Sequence, residues 1–291
     1  MSNMLFTGCA TALITPFKQG EVDYPALEKL LAFQLDQGVD AIVACGTTGE
    51  PSTMTGTEWE QVLSFVIRCV QHRIPVIAGT GGNNTRDVIE KARRAKELGA
   101  DAQLCVTPYY NKTTQAGLIA HYTAIARDGA LPVILYNVPS RTGLNMQPQT
   151  LAVLAKEPNI IAMKEASGNM TQIMEMIRLC EDDITFYSGS DELTAPFRAV
   201  GGNGAISVLA NIAPKAMGDI CRLPLQEAAK LNLKWLPLIN ALFYEVNPIP
   251  VKAAAAMMGL CENEVRLPLV PMSAANEEKL KVEMQKAGLI C

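Results

Sequence analysis

Eight short apolar segments, each followed by a longer amphipathic segment, constrain the fold of this 291-residue chain more than any other feature. Each consists mostly of β-branched or small apolar residues, which is typical of strands buried on both faces. Their spacing leaves room for one helix and two loops per unit. The pattern therefore predicts repeated strand–helix units, with strands in the segments 10–16, 41–46, 75–81, 102–108, 132–139, 160–166, 184–190 and 204–211.

The segments between these strands have helical periodicity and recognisable helix ends. Residues 24–37 place four leucines on one helical face before a glycine. Thr57 and Glu60 have the spacing of a capping box and predict a helix start. Residues 85–98 predict a further helix that stops at Gly99.

Eight strands alternating with helices predict an α/β fold, a closed (β/α)8 TIM barrel, which takes about 250 residues. An open doubly wound sheet has the same local pattern and is the alternative. From about residue 225 the strand pattern gives way to two or three helices. We predict a catalytic barrel over residues 1–224 and a C-terminal helical extension over residues 225–291, packed on the barrel or on another subunit.

Composition narrows the function classes. The net charge of −4 argues against nucleic-acid binding. The first residues lack a signal-peptide pattern, and no apolar run is long enough for a membrane helix. Eight scattered cysteines predict free thiols and a cytoplasmic protein. With only two histidines a histidine-rich metal site is not expected, so carbonyl chemistry would need another electron sink.

In a barrel of this kind the active site is built at the carboxyl ends of the strands. The residues at these ends are few and, apart from a glycine, polar and reactive; they are Thr47, Thr48, Tyr109, Tyr110, Tyr136, Arg141, Lys164 and Gly189.

Lys164 is the most reactive candidate. Alternation puts Ile160, Ala162 and Lys164 on one face of their strand; if the first two face the interior, the ammonium enters the barrel. Burial lowers the pKa of a lysine, and a neutral amine can form an imine with a ketone. The alternative is a structural lysine that pairs with Glu165 or extends outward.

Two other features allow both a chemical and a structural interpretation. Tyr136 could relay protons or simply close the core. The loop 46–50, Gly-Thr-Thr-Gly-Glu, could hold a carboxylate on its hydroxyl and N–H groups, although many such turns bind nothing. The glycine-rich segment 79–84 is only a weak nicotinamide-binding pattern.

Together, the motifs at 46–50, 136–139 (Tyr-Asn-Val-Pro) and 164–168 (Lys-Glu-Ala-Ser-Gly) resemble the pyruvate-dependent class I aldolase family. The resemblance covers essentially the whole chain and includes the segment 247–252, Asn-Pro-Ile-Pro-Val-Lys. It shifts the interpretation of Lys164 toward catalysis.

The resemblance implies a role for each matching position. Lys164 forms a Schiff base with pyruvate, and no cofactor is needed. Tyr136, Thr47 and Tyr110 form a hydroxyl chain, with Tyr110 contributed by a partner subunit, so a homodimer is the minimum and a tetramer is expected. The substrate-binding positions are Thr48, Arg141, Ile206 and Gly189.

At Thr47 and Arg141 the chain resembles the branch of the family that condenses pyruvate with L-aspartate 4-semialdehyde in lysine and diaminopimelate biosynthesis. A guanidinium at position 141 suits the carboxylate of that aldehyde. The alternatives are a pyruvate lyase acting on N-acetylneuraminate, a 2-keto-3-deoxy sugar acid or 4-hydroxy-2-oxoglutarate, a non-catalytic barrel that binds oxo acids, and a nicotinamide oxidoreductase.

The resemblance also points to an allosteric lysine site at Trp59, Asn83, Asp87 and Tyr109. Members inhibited by lysine often carry basic or histidine side chains where this chain has Gly56 and Trp59. Asp87 also replaces the usual glutamate. We therefore expect weak or absent inhibition by L-lysine.

Overall fold

The computed structural model describes residues 4–180 and 182–291 and contains a closed eight-stranded parallel barrel. Each strand pairs in parallel with the next, and the eighth pairs with the first. The prediction of a (β/α)8 barrel is confirmed, and the open sheet is wrong. The strands are β1 Gly8–Ala12, β2 Ala41–Ala44, β3 Val76–Gly79, β4 Ala102–Val106, β5 Val133–Asn137, β6 Ile160–Glu165, β7 Thr185–Ser188 and β8 Gly204–Ser207. A small hairpin, Phe17–Lys18 with Glu21–Val22, follows β1.

Helices surround the barrel and form the C-terminal extension. They are α1 Tyr24–Asp36, α2 Gly56–Val70, α3 Thr85–Leu98, α4 Gln115–Asp128, α5 Pro139–Thr142, α6 Pro148–Leu154, α7 Met170–Cys180, α8 Thr194–Ala199, α9 Pro214–Arg222, α10 Leu225–Ala241, α11 Ile249–Met257 and α12 Ala274–Lys286. The last three form the extension, and α10 packs against α8 and α9 on the barrel.

The core has two parts. Inside the barrel lie small and branched side chains together with Phe6, which stacks on Tyr187 at 4.2 Å between ring centroids. Between strands and helices lies a larger layer of aliphatic side chains. No helix within the described residues is long and apolar enough to cross a membrane.

Two local predictions were wrong. The capping box that starts α2 uses Thr55 and Glu58, because both reciprocal hydrogen bonds form there, so the Thr57–Glu60 frame is displaced by two residues. Ile160 packs outward with the helix layer, whereas Ala162 faces the barrel interior. The β5–β6 pairing shifts register between these positions, and such a bulge breaks the two-residue alternation.

Candidate active site

A cavity of about 560 Å³ opens at the carboxyl ends of the strands. Its wall combines strand-end residues of the barrel with the last turn of α10 and the segment that follows it in the extension. The volume is that of a small-molecule site. The predicted residues Thr47, Thr48, Tyr136, Arg141, Lys164 and Gly189 all line it.

Lys164 projects into this cavity from the end of β6 and is 5% exposed. Its Nζ lies 4.4 Å from the centre of the Tyr136 ring. Among the described residues it forms no ion pair, in contrast to Lys252, which is also buried. Burial, with a smaller contribution from Arg141, lowers the pKa of Lys164 from 10.5 to about 8, and Asp191 opposes this shift. The amine is therefore neutral far more often than a surface lysine.

The register of β5 and β6 brings Tyr136 and Lys164 together, because the two residues are direct neighbours across the strands. Tyr136 is 7% exposed, and burial raises the pKa of its phenol to about 12. The next residues on the two strands, Asn137 and Glu165, are also buried, and Asn137 Nδ2 donates to Glu165 Oε2 at 2.9 Å. Glu165 also accepts the Ser167 N–H at 2.6 Å. Glu165 therefore does not pair with Lys164 but fixes the loop after β6.

Gly189, at the end of β7, leaves the space that Lys164 occupies. A side-chain carbon at this position would lie 3.0 Å from Cε of Lys164 and 2.8 Å from Cβ of Ala166. Any larger residue would therefore displace the amine.

Asp191 is a buried acid that the sequence analysis missed. Its Oδ2 accepts the N–H groups of Val208 and Leu209, at 3.0 and 2.7 Å, and so holds the end of β8. Burial raises the pKa of Asp191 to about 6. The only sequence signal was its place two residues after Gly189.

Thr47 and Thr48 begin a short 3-10 turn, Thr47–Gly49, which is separated from β2 by two residues. The Thr15 hydroxyl donates to Gly49 O at 2.9 Å. The left-handed Glu50 ends the turn. The two threonines thus reach the cavity on a closely packed loop.

The extension contributes Asn247, whose role the sequence analysis did not assign. Asn247 Nδ2 donates to the Thr48 hydroxyl at 3.0 Å, and its carbonyl accepts from the Arg141 guanidinium at 3.1 Å. One residue of the extension therefore connects the threonine loop to the arginine.

Two predicted site residues do not line the cavity. Ile206 is fully buried in the barrel interior, and Val208 lines the wall instead. Tyr110 is 91% exposed, with a positive φ of 68°. Within one chain, its side chain is outside the cavity.

The four allosteric candidates line one separate cavity of about 540 Å³. Trp59 is 2% exposed, and the ammonium of Lys91 lies 5.1 Å from its ring centre. Asn83 donates to the carbonyl of Tyr109 at 3.3 Å. The chain thus places its own cation over the aromatic wall of this cavity.

A closed parallel barrel with a buried amine and phenol at the carboxyl end of its strands defines an enzyme of the (β/α)8 class. The Dihydrodipicolinate synthetase family matches residues 5–287. A 4-hydroxy-tetrahydrodipicolinate synthase of Geobacter sulfurreducens is 52% identical over 98% of this chain and 100% of its own length.

Solved structures agree. The dihydrodipicolinate synthase of Thermotoga maritima has a TM-score of 0.97 at 42% identity, covering 99% of this chain and 100% of its own. The chloride-inhibited dihydrodipicolinate synthase of Acinetobacter baumannii, solved with pyruvate, has a TM-score of 0.96 at 47% identity, covering 98% and 99%. The chain belongs to the dihydrodipicolinate synthetase family and is a lyase.

Proposed function

We propose that this chain condenses pyruvate with L-aspartate 4-semialdehyde to give 4-hydroxy-tetrahydrodipicolinate, through a Schiff base on Lys164. One observation carries the proposal: a buried amine without an ion-pair partner in the described residues, its pKa lowered to about 8, lies against a phenol in the cavity. The relatives that share full-length similarity bear the corresponding enzyme name.

The first half of the reaction consumes pyruvate. The neutral amine of Lys164 adds to the ketone carbon, and loss of water gives the imine. The pyruvate carboxylate rests on the Thr47–Thr48 loop. Tyr136 carries protons between the reacting atoms and Thr47. Removal of a methyl proton then converts the imine into an enamine, with the iminium nitrogen as the electron sink.

The second half forms the carbon–carbon bond. The enamine carbon attacks the aldehyde carbon of the semialdehyde, whose carboxylate pairs with the Arg141 guanidinium. The aldehyde oxygen takes up a proton and becomes the 4-hydroxyl group. The amino group of the adduct then attacks the imine carbon and expels the Lys164 amine, which closes the ring. The enzyme is regenerated without a cofactor.

We assign Tyr110 to the site of a neighbouring copy, with a homodimer as the minimum active unit and a tetramer as the expected assembly. An aromatic side chain that is 91% exposed beside an active-site rim favours this assignment. We place the reaction in the cytoplasm, in keeping with eight free cysteines.

Trapping the imine tests the proposal. The protein is incubated with pyruvate and borohydride, and the adduct is mapped by mass spectrometry to the peptide that contains Lys164. Lys164→Met should abolish labelling. Lys91→Met is the matched control, because burial also lowers the pKa of Lys91. In this variant Lys164 should be labelled as in the parent chain. An adduct on another lysine, or none, would refute the proposal.

A further inference from the structure

A buried ion pair joins the C-terminal extension to the loop that carries Thr47 and Thr48. Lys252, on α11, has a side-chain exposure of 0%, and its Nζ lies 2.5 Å from Oε1 of Glu50, whose exposure is 1%. Lys252 Nζ also donates to the carbonyl of Glu264 at 2.8 Å. Neither charged residue is among the described residues that line the active-site cavity. The pair can therefore affect the cavity only indirectly, through the segments to which its two residues belong.

Glu50 determines how that loop ends. Its φ of 56° and ψ of 42° are left-handed, a conformation that residues other than glycine adopt only when their surroundings hold them there. The Glu50 N–H donates to the carbonyl of Thr47 at 3.2 Å, and its own carbonyl accepts from the Thr53 hydroxyl at 3.1 Å. The orientation of Thr47 and Thr48 thus depends on where the Glu50 side chain is anchored.

Arg266, also in the extension, completes the anchor through its backbone N–H and its guanidinium. The Arg266 N–H donates to Oε2 of Glu50 at 3.2 Å, and its guanidinium donates to the carbonyl of Thr53 at 3.1 Å. The ring of Phe17 contacts both cations, with Lys252 Nζ at 4.0 Å and Arg266 Cζ at 4.2 Å from its centre. The loop is therefore held on both sides of Glu50.

We propose that Lys252 is a positioning residue for pyruvate capture, because through Glu50 it fixes the Thr47–Thr48 loop in the orientation that receives the pyruvate carboxylate. This inference rests on the proposed function. A buried ion pair is often no more stabilising than apolar residues of the same volume. Replacing only one partner, however, leaves the other charge buried and unpaired. A charge-free replacement should therefore fold while losing the fixed orientation.

The test compares single and double variants of the full-length chain. Lys252→Met leaves Glu50 without its cation, whereas Glu50→Gln with Lys252→Met leaves no charge in the pair. The thermal midpoint is measured beside the pyruvate concentration that gives half-maximal borohydride labelling of Lys164. We expect the double variant to recover most of the decrease in thermal midpoint that Lys252→Met causes. It should still need at least tenfold more pyruvate than the parent chain for half-maximal labelling of Lys164.

Asp40→Asn is the matched control. Asp40 pairs with Arg222 at 2.6 Å and precedes β2 at the opposite, amino-terminal end of the barrel. The Asp40→Asn substitution should lower the thermal midpoint. The pyruvate concentration for half-maximal labelling should stay within twofold of that of the parent chain. The inference is overturned if pyruvate capture recovers with stability in the double variant, or if Asp40→Asn weakens capture equally. Labelling of the parent chain at saturating pyruvate tests the proposed function separately.

Discussion

The pKa of Lys164 predicts how imine formation depends on pH. Because burial lowers this pKa from 10.5 to about 8, about one-tenth of the amine is neutral at pH 7, against about 0.03% for an ordinary lysine. The difference is about 300-fold in reactive amine, or about 3 kcal/mol. At limiting pyruvate, the rate of borohydride labelling should rise about tenfold per pH unit below pH 8 and level off above it.

The charged residues near Lys164 determine in which direction the midpoint of this pH profile should shift in two variants. Asp191 raises the pKa of Lys164 and Arg141 lowers it. Asp191→Asn should therefore move the midpoint below that of the parent chain, and Arg141→Met should move it above. Intact-mass measurement of labelling between pH 6 and pH 10 gives all three curves. A parent profile that still climbs at pH 9.5 would show that the amine is not desolvated and would refute the reasoning.

Three further predictions follow from the same site. Lys164→Met should be inactive but more stable by up to about 3 kcal/mol at pH 7. Because the folded state binds the lysine proton more weakly than the unfolded state, this gain in stability should shrink as the pH rises from 8 toward 10.5. Thermal unfolding at several pH values measures the gain, and a gain that does not change with pH would contradict the reasoning. Arg141→Ala should reduce kcat/KM for the semialdehyde about 100-fold, the cost of an unpaired carboxylate. Labelling by pyruvate should be retained at a pH above the midpoint of the variant's labelling profile, and equal losses for both substrates there would contradict the assignment. L-lysine at millimolar concentration should leave the rate nearly unchanged, because Lys91 already lies over Trp59, and a micromolar inhibition constant would contradict this.

The strand ends could be found in the sequence because their signal is local. Lys164 and Tyr136 each close an apolar run, and a parallel barrel brings such ends to one rim. Asn247 lacked such a signal, since its hydrogen bond to Thr48 joins residues 199 positions apart in the chain. Asp191 was missed because a buried acid that accepts two N–H groups resembles any loop acid in sequence.

The two wrong local predictions have specific physical causes. The chain offers two overlapping Thr-x-x-Glu frames at the start of α2. In the fold Glu58 also receives a hydrogen bond from Arg266, which lies more than 200 residues away. Ile160 and Ala162 were expected on one face because strict alternation assumes a regular ladder, and the shift in the β5–β6 register violates that assumption. Both outcomes depend on tertiary partners that local periodicity does not contain.

The lysine that we propose as the nucleophile, Lys164, and the lysine that we propose as an anchor, Lys252, differ in their environment and not in residue type. Both are buried, and burial lowers the pKa of both. Lys252 lies 2.5 Å from a carboxylate, which favours its charged form and a fixed position. Near Lys164, Asp191 directs one oxygen to two backbone N–H groups, and its charge only partly offsets the desolvation of the amine. A carboxylate in ion-pairing contact with Lys164 would favour the ammonium and remove the nucleophile. In the proposed mechanism, the absence of such a contact among the described residues is therefore what makes this amine reactive.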